Sequence, residues 1–419
     1  MRLSATESEL FEGLRDIPVI DAHEHLVPEA ARIARNVDFF VLFSHYCSAD
    51  LASAGMSPDT YRRLQDDEDM PPEEKWRLFE PHYPMIRYGS YARPARIWLK
   101  DVLGFDDLTG ANCREVSERL QEANCVGLYQ RVLRDRCHIE SALVDNSEHH
   151  TEYDMDLLRP LWRITDFAFG HSVRAYLAAE KPGALDGYLD WVCARGEELR
   201  QVGTFGLKLI SFPYSRPVMD EAEAVFEALQ SPEREAQLTW TDRTPLLAAV
   251  CDRALELARR HSLTVAVHSG VWGDFRDSHP CHLIPLAMAH PDVRFDLFHL
   301  GMPFVREAVL VGKMFPNVSL NLCWNAVVSP ELTVRVLDEC LDMVPLNNLI
   351  AFGADYRIAV EKVHGHLVMA KECVARALAK RIDRGQMDVA EAAAIARLWL
   401  YDNPVAVYNL HREGWARRR

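Results

Sequence analysis

Near its start the chain reads Pro18-Val19-Ile20-Asp21-Ala22-His23-Glu24-His25-Leu26. The apolar residues after the proline predict a short β-strand, because proline stops the element that precedes it. Side chains alternate along a strand, so Asp21, His23 and His25 should share one face. Glu24 is expected on the opposite face. Two imidazoles two residues apart on one face can bind the same metal ion, and zinc takes imidazole nitrogen readily.

Seven further strands are predicted along the chain, each a short apolar run followed by helical patterning. They cover residues 139–144, 160–167, 204–211, 263–270, 293–301, 318–324 and 349–355. Eight strands that alternate with helices are typical of a (β/α)8 barrel, also called a TIM barrel. In that fold the catalytic groups lie at the carboxyl ends of the strands.

The first two predicted strands are separated by residues 26–138, which is far too long for a structureless loop. Helical patterning recurs in this stretch at residues 30–43, 72–79, 92–102 and 113–133. We therefore predict a single barrel domain over residues 1–419, with a helical insertion at about residues 28–135. The insertion could serve as a lid or as a dimer contact, and both alternatives stay open.

Composition excludes several classes of protein. The formal net charge of −15 over 419 residues argues against nucleic acid and acidic membranes as partners. Ten cysteines without a Cys-x-x-Cys pair predict reduced thiols and a cytoplasmic location. Residues 1–16 contain no long apolar run, so neither a signal peptide nor a membrane span is expected there.

Polar residues follow three of the later predicted strands. His268 ends the fifth strand, His299 ends the sixth and Asp355 ends the eighth. Strand ends of this kind meet at the mouth of a barrel, where His23 and His25 are also expected. The sequence therefore predicts one site built from distant segments.

These motifs resemble those of the amidohydrolase superfamily, in its amidohydrolase-2 branch of metal-dependent hydrolases and decarboxylases. The resemblance covers the barrel and is weakest across the insertion. The segments that carry it are Asp21-Ala22-His23-Glu24-His25, Val267-His268-Ser269-Gly270, Phe298-His299-Leu300-Gly301 and Phe352-Gly353-Ala354-Asp355.

The resemblance implies a role for each matching residue. His23, His25 and His268 would bind one divalent metal ion, zinc first and manganese as the alternative. Asp355 would bind the ion and act as the base, and His299 would be a ligand of a second metal or an electrophile. The resemblance also implies a homo-oligomer.

Lys208, in the predicted fourth strand, has three interpretations. It could be carboxylated and bridge two metals, because an unmodified ammonium group has no lone pair to offer. It could instead pair with a substrate carboxylate, which is the interpretation favoured here. A structural ion pair is the third alternative.

Three further residues are candidates for binding the substrate. The guanidinium of Arg357 could bind a substrate carboxylate, and Trp272 and Tyr214 could line the site. A loop ion pair for Arg357 and simple packing for Trp272 are the alternatives. If the cations face the cavity, the substrate is a small carboxylate-bearing molecule.

The leading functional prediction is hydrolysis of an amide, ester or lactone bond by metal-activated water. Asp355 would move the proton, and His299 would stabilise charge on the attacked oxygen. Decarboxylation without oxidation and uronate-type isomerisation are alternatives that need the same residues. A catalytically silent barrel that serves as a binding scaffold is the alternative from a different class.

Overall fold

The structure is a computed structural model that describes residues 3–146, 152–180 and 183–410. Its strands are β1 Val19–Glu24, β2 Ile139–Val144, β3 Leu158–Arg163, β4 Gly206–Ile210, β5 Thr264–His268, β6 Arg294–Leu297, β7 Val318–Asn321 and β8 Leu349–Ile350. They form one sheet in the order β1 to β8. Neighbouring strands run parallel. This is the order of a (β/α)8 barrel, so the predicted fold class is confirmed.

Helices occupy the segments between the strands. Those before β2 are α1 Ala5–Gly13, α2 Glu29–Ile33, α3 Cys47–Ser53, α4 Pro58–Asp66, α5 Pro72–Phe79, α6 Tyr83–Ile86, α7 Arg93–Asp101 and α8 Cys113–Ala123. Those after β3 are α9 Gly170–Glu180, α10 Leu185–Val202, α11 Met219–Ala228, α12 Pro232–Glu235, α13 Thr244–His261, α14 Leu283–Ala289, α15 Val305–Met314, α16 Asn325–Val328, α17 Pro330–Met343, α18 Glu361–Asp383, α19 Val389–Arg397 and α20 Asn403–Tyr408.

Several strands end earlier than their apolar runs predict. β6 stops at Leu297, and residues Phe298–Gly301 form a tight helical turn with positive φ at His299 and Leu300. β8 contains only two residues, although the apolar run continues to Ala354. Left-handed backbone conformations at His299 and Leu300 end β6, and Asp355 adopts a left-handed conformation five residues beyond β8.

Contacts group the chain into two compact units, so the expected single domain stays a prediction. The first unit, called unit 1 below, comprises Met1–Val144, Cys323–Asp338 and Ala351–Tyr401. In it the long helix α18 packs against α1 and α7. The segment between β1 and β2 is helical there, and its core is a cluster of aromatic rings from Phe39, Phe40, Phe43, Trp76, Phe79 and Tyr83.

The second unit, called unit 2, comprises Asp145–Leu322, Glu339–Ile350 and Asp402–Arg419. Its strands run from β3 to β8, and α13 packs against both α10 and α11. The inner residues of α13 are apolar and buried, which explains the packing of this 18-residue helix. Among the described residues, no helix combines the length and the apolar character needed to cross a bilayer.

Candidate active site

Three of the predicted metal ligands come together in unit 1. The Nε2 atoms of His23 and His25 lie 3.4 Å and 3.2 Å from the same atom, Oδ1 of Asp355. The two imidazole rings are 4.7 Å apart at a steep angle of 75°. Ligand atoms about 2.0–2.1 Å from a tetrahedral zinc stand roughly 3.3 Å from one another. The two separations between imidazole nitrogen and carboxylate oxygen therefore suit ligands of a divalent ion such as zinc.

Asp355 is held by its backbone as well as by its side chain. It lies five residues beyond β8, with φ at 66°. Its amide donates to the carbonyl oxygen of His23 at 2.9 Å. Gly353, two residues earlier, lies so close to β1 that a Cβ atom there would stand 3.0 Å from the amide nitrogen of His23. The backbone after β8 thus continues to pair with β1.

Tyr46 is a functional candidate that sequence reasoning missed. Its phenol hydrogen-bonds to the carboxylate of Asp355, and burial together with that negative charge raises the pKa of Tyr46 well above its ordinary value. Its ring packs on His45 at 3.9 Å and on Trp324 at 4.5 Å between centroids. Tyr46 belongs to the helical insertion, where no strand end marks it in the sequence.

A buried carboxyl pair lies on β1, and it corrects the expectation that Glu24 faces away from Asp21. The side chains of Asp21 and Glu24 hydrogen-bond to each other. The register of β1 against β2 shifts between these residues, which breaks the simple alternation of side chains. Burial raises the pKa of both carboxyls, and the charge of Asp21 raises that of Glu24 further. The hydrogen bond between the two carboxyls requires that one of them carry a proton.

His268 and His299 lie together in unit 2. Nε2 of His268 is 2.9 Å from the carbonyl oxygen of Val271, so this nitrogen carries a proton. Nδ1 of His268 is 3.0 Å from Nε2 of His299 and accepts its hydrogen in the neutral form. Both nitrogens of His268 therefore have partners in this arrangement. Metal ligation by His268 and catalysis by His299 stay predictions.

Lys208 lies in β4 with acidic and aromatic neighbours, all within unit 2. Its Nζ is 4.0 Å from Asp145 Oδ2 and 4.1 Å from the ring centroid of Phe298. Asp145 also accepts two hydrogen bonds, at 2.9 Å and 2.6 Å, from the guanidinium of Arg163. This surrounding suits an unmodified ammonium group, because a carboxylated lysine would place a second negative charge beside Asp145.

The remaining predicted substrate residues are spread over both units. Arg357 is exposed in unit 1, and its carbonyl accepts the amide of Val27. In unit 2, Trp272 is 62% exposed. The hydroxyl of Tyr214 donates to Asp252 at 2.8 Å. A role of these side chains in binding a substrate stays a prediction.

Comparison with known proteins gives a consistent family assignment. A family model described as amidohydrolase matches residues 153–410. A uronate isomerase of Caulobacter vibrioides is 22% identical, and the match spans 97% of this chain and 93% of the relative. The resemblance inferred from the sequence motifs is thus confirmed.

Solved structures agree on the fold. A uronate isomerase from Thermotoga maritima superposes with a TM-score of 0.79 at 17% identity, covering 97% of this chain and 98% of that one. A glucuronate isomerase from Caulobacter crescentus gives a TM-score of 0.79 at 20% identity, covering 98% and 95%.

These relatives contradict the expectation of a hydrolase. The Caulobacter vibrioides relative and the two solved structures with TM-scores of 0.79 are isomerases by name. A solved structure from Lactobacillus casei that covers 97% of this chain, with a lower TM-score of 0.66, is named a putative metal-dependent hydrolase. The expectation was wrong because the same imidazoles and carboxylate serve both kinds of reaction, so the ligand motifs carry no information about which bond changes.

Proposed function

Because this chain belongs to the amidohydrolase family, we propose that it is an isomerase that interconverts the aldehyde and ketone forms of a hexuronic acid such as glucuronate. The Caulobacter vibrioides uronate isomerase, which matches 97% of the chain, supports the reaction class. The observation that carries the proposal is the contact of the Asp355 carboxylate with the Tyr46 phenol beside two imidazoles.

The chemistry needs proton transfer and no added water. One proton leaves C2 of the aldehyde form while O1 gains one, which gives an enediol. C1 then gains a proton while the hydroxyl on C2 loses its own, which gives the ketone. A carboxylate and a phenol held side by side are a base and an acid of the kind that these transfers need.

Tyr46 would act as the acid and Asp355 as the base. Burial keeps the Tyr46 phenol protonated at neutral pH, so it can donate its proton to the substrate carbonyl oxygen. Asp355, as a carboxylate, accepts the proton that leaves carbon. The exposed guanidinium of Arg357, two residues further on, would bind the carboxylate of the uronic acid in a two-pronged hydrogen bond.

His23, His25 and Asp355 would hold one divalent ion, zinc first and manganese as the alternative. Such an ion, when bound, polarises the carbonyl oxygen of the substrate. The two imidazoles suit zinc, and the carboxylate of Asp355 is a ligand that manganese also accepts. We propose a single ion, since the surroundings of Lys208 suit its unmodified form. A cytoplasmic location and a homo-oligomer stay predictions.

The test is incubation of the zinc-loaded protein with glucuronate and other hexuronic acids in deuterated water, followed by NMR. We expect a ketose product, with deuterium at C1 because the transferred proton can exchange with solvent. Asp355→Asn should slow the reaction about 100-fold or more. Asp101→Asn, which alters a carboxylate paired with His364, is the matched control and should keep the activity. If the loaded protein forms no ketose from any hexuronic acid, the proposal fails.

A further inference from the structure

The backbone around Asp355 is fixed by acceptors on β1. The amide of Ala354 donates to Asp21 Oδ1 at 3.0 Å, and the amide of Tyr356 donates to Glu24 Oε2 at 2.6 Å. Between them, the amide of Asp355 donates to the carbonyl of His23. Three consecutive amides are therefore bonded to one short strand, and two of the three acceptors are side chains.

Strain explains why this segment needs such support. Asp355 has φ at 66°, a left-handed conformation that costs a non-glycine residue free energy unless the surrounding structure imposes it. β8 ends at Ile350, and beyond it backbone hydrogen bonds still join the chain to β1 and the residue after it, from Ala22 to Phe352, from Asp355 to His23 and from His25 to Tyr356. The carbonyl of Ala354 is held as well, because it accepts from His366 Nδ1 at 3.2 Å.

Burying the side chains of Asp21 and Glu24, the two side-chain acceptors, costs free energy. Asp21 and Glu24 are fully buried, and an isolated carboxylate in such a place is strongly unfavourable. Their mutual hydrogen bond and the backbone amides satisfy them instead. Asp21 Oδ1 accepts from the amides of His23 and Ala354, and Glu24 Oε2 accepts from the amide of Tyr356, so one oxygen of each carboxyl is bonded to the segment that carries Asp355.

We propose that Asp21 and Glu24 are positioning residues that fix the carboxylate of Asp355 by bonding the amides on either side of it. The inference rests on the proposed role of Asp355 in isomerisation. In this arrangement the two carboxyls fix the position of the Asp355 side chain, which faces His23, His25 and Tyr46. Neither of the two carboxyls contacts the reacting atoms.

Glu24→Gln and Glu24→Met test the proposal as a pair. The carbonyl oxygen of Gln can still accept from Tyr356 while its amide donates to Asp21, whereas Met has a similar size and accepts nothing. We expect kcat of Glu24→Gln within about threefold of the wild type, and kcat of Glu24→Met lower by about 100-fold with KM nearly unchanged. Zinc affinity should fall about tenfold or more in the Met variant only.

Hydrogen exchange gives a readout that needs neither substrate nor metal. The peptide over residues 351–357 should exchange roughly tenfold faster in Glu24→Met, the effect of one lost hydrogen bond, and at the wild-type rate in Glu24→Gln. If Glu24→Met does not fold, Glu24→Asp replaces it, because the shorter side chain cannot reach the amide of Tyr356. Asp296→Leu, which removes a buried carboxyl from β6, is the control for general destabilisation and should leave this peptide protected.

Two results would overturn the inference. One is wild-type exchange and kcat in Glu24→Met or Glu24→Asp. The other is a Gln variant as impaired as the Met variant, since charge rather than hydrogen-bond acceptance would then matter. A protein without isomerase activity whose exchange and zinc affinity still follow this pattern would disprove the proposed function and leave the positioning role intact.

Discussion

Tyr46 is the residue whose chemistry the proposed reaction depends on most directly after Asp355. Tyr46→Phe removes only the hydroxyl, so the acid that protonates the substrate oxygen is lost while the ring packing remains. We expect kcat to fall by about 100-fold or more, with zinc content unchanged, measured by ketose formation and metal analysis. Tyr91→Phe is the matched control, because that ring stacks on Trp324 at 5.8 Å and its replacement should keep wild-type kcat. Equal activities of the two variants would contradict the role of Tyr46.

Asp296 makes stability depend on pH in a predictable direction. It is buried in β6, where Asn321 and Tyr408 donate to it at 2.8 Å and 2.7 Å. Burial raises its pKa from 3.8 to about 7, which the hydrogen bonds and the charge of Lys208 only partly oppose. At a pH between these two pKa values, Asp296 is protonated in the folded chain and deprotonated in the unfolded chain. The stability contributed by this group is therefore fully present below about pH 4 and is lost as the pH rises through about 7.

Asp296→Asn removes this dependence because an amide does not ionise. Relative to the wild type, the variant should gain unfolding free energy on the order of 2 kcal/mol between pH 5 and pH 8. Urea denaturation at both pH values measures the difference between the two proteins. A difference that stays the same at pH 5 and pH 8 would show that Asp296 does not titrate in this range.

At the scale of single residues, the sequence predicts the positions of those side chains whose place follows from the regular pattern of a strand. His23, His25 and Asp355 could be proposed because each follows an apolar run at a strand end, and the structure brings them together. Tyr46 could not, since its contact with Asp355 depends on how the insertion folds. The contact of Glu24 with Asp21 was missed because it needs an irregularity in β1 that alternation does not predict.

Between elements, the segment after β8 approaches both β1 and the residues after β7 closely. A Cβ atom at Gly353 would lie 2.5 Å from Cys323 Cβ and 3.0 Å from the amide nitrogen of His23. Gly353→Ala should therefore push the backbone off β1, lower the unfolding free energy by about 1–3 kcal/mol and reduce kcat with it. Gly13→Ala is the control, because nothing lies within 4 Å of a Cβ there. Thermal unfolding and kinetics of both variants check this, and an unperturbed Gly353→Ala would mean that the approach is not tight.

The boundaries of elements show where sequence patterns stop being informative. The helix at 72–79 and the strand at 139–144 coincide with their predicted limits. β6 ends early because His299 and Leu300 after it take left-handed conformations, and β8 ends although the apolar run continues to Ala354. An apolar run indicates which residues are buried, and residues can be buried beyond the end of a regular strand. The run therefore does not show where the strand ends.

For the whole molecule, the alternation of eight strands with helices was enough to predict the barrel, because each parallel strand needs a crossover to reach the next. The reaction was not predictable in the same way. Hydrolysis, decarboxylation and isomerisation share the ligands His23, His25 and Asp355, and they differ in which groups surround the substrate. Near-complete coverage by isomerase relatives decided against hydrolysis where the motifs could not.

At the scale of the whole fold, we predict that removing the metal lowers the thermal stability of the protein. A ligand that binds only the folded chain stabilises it by about 4 kcal/mol when present at a thousand times its Kd, which corresponds to several degrees in Tm. We therefore expect a strong chelator to lower Tm and added zinc or manganese to restore it. His23→Ala should abolish both effects, because it removes one of the three donors. His364→Ala changes a histidine that pairs with Asp101 outside the trio, and it should preserve them. A Tm that does not respond to chelator or metal in the wild-type protein would show that His23, His25 and Asp355 do not bind an ion in the folded chain.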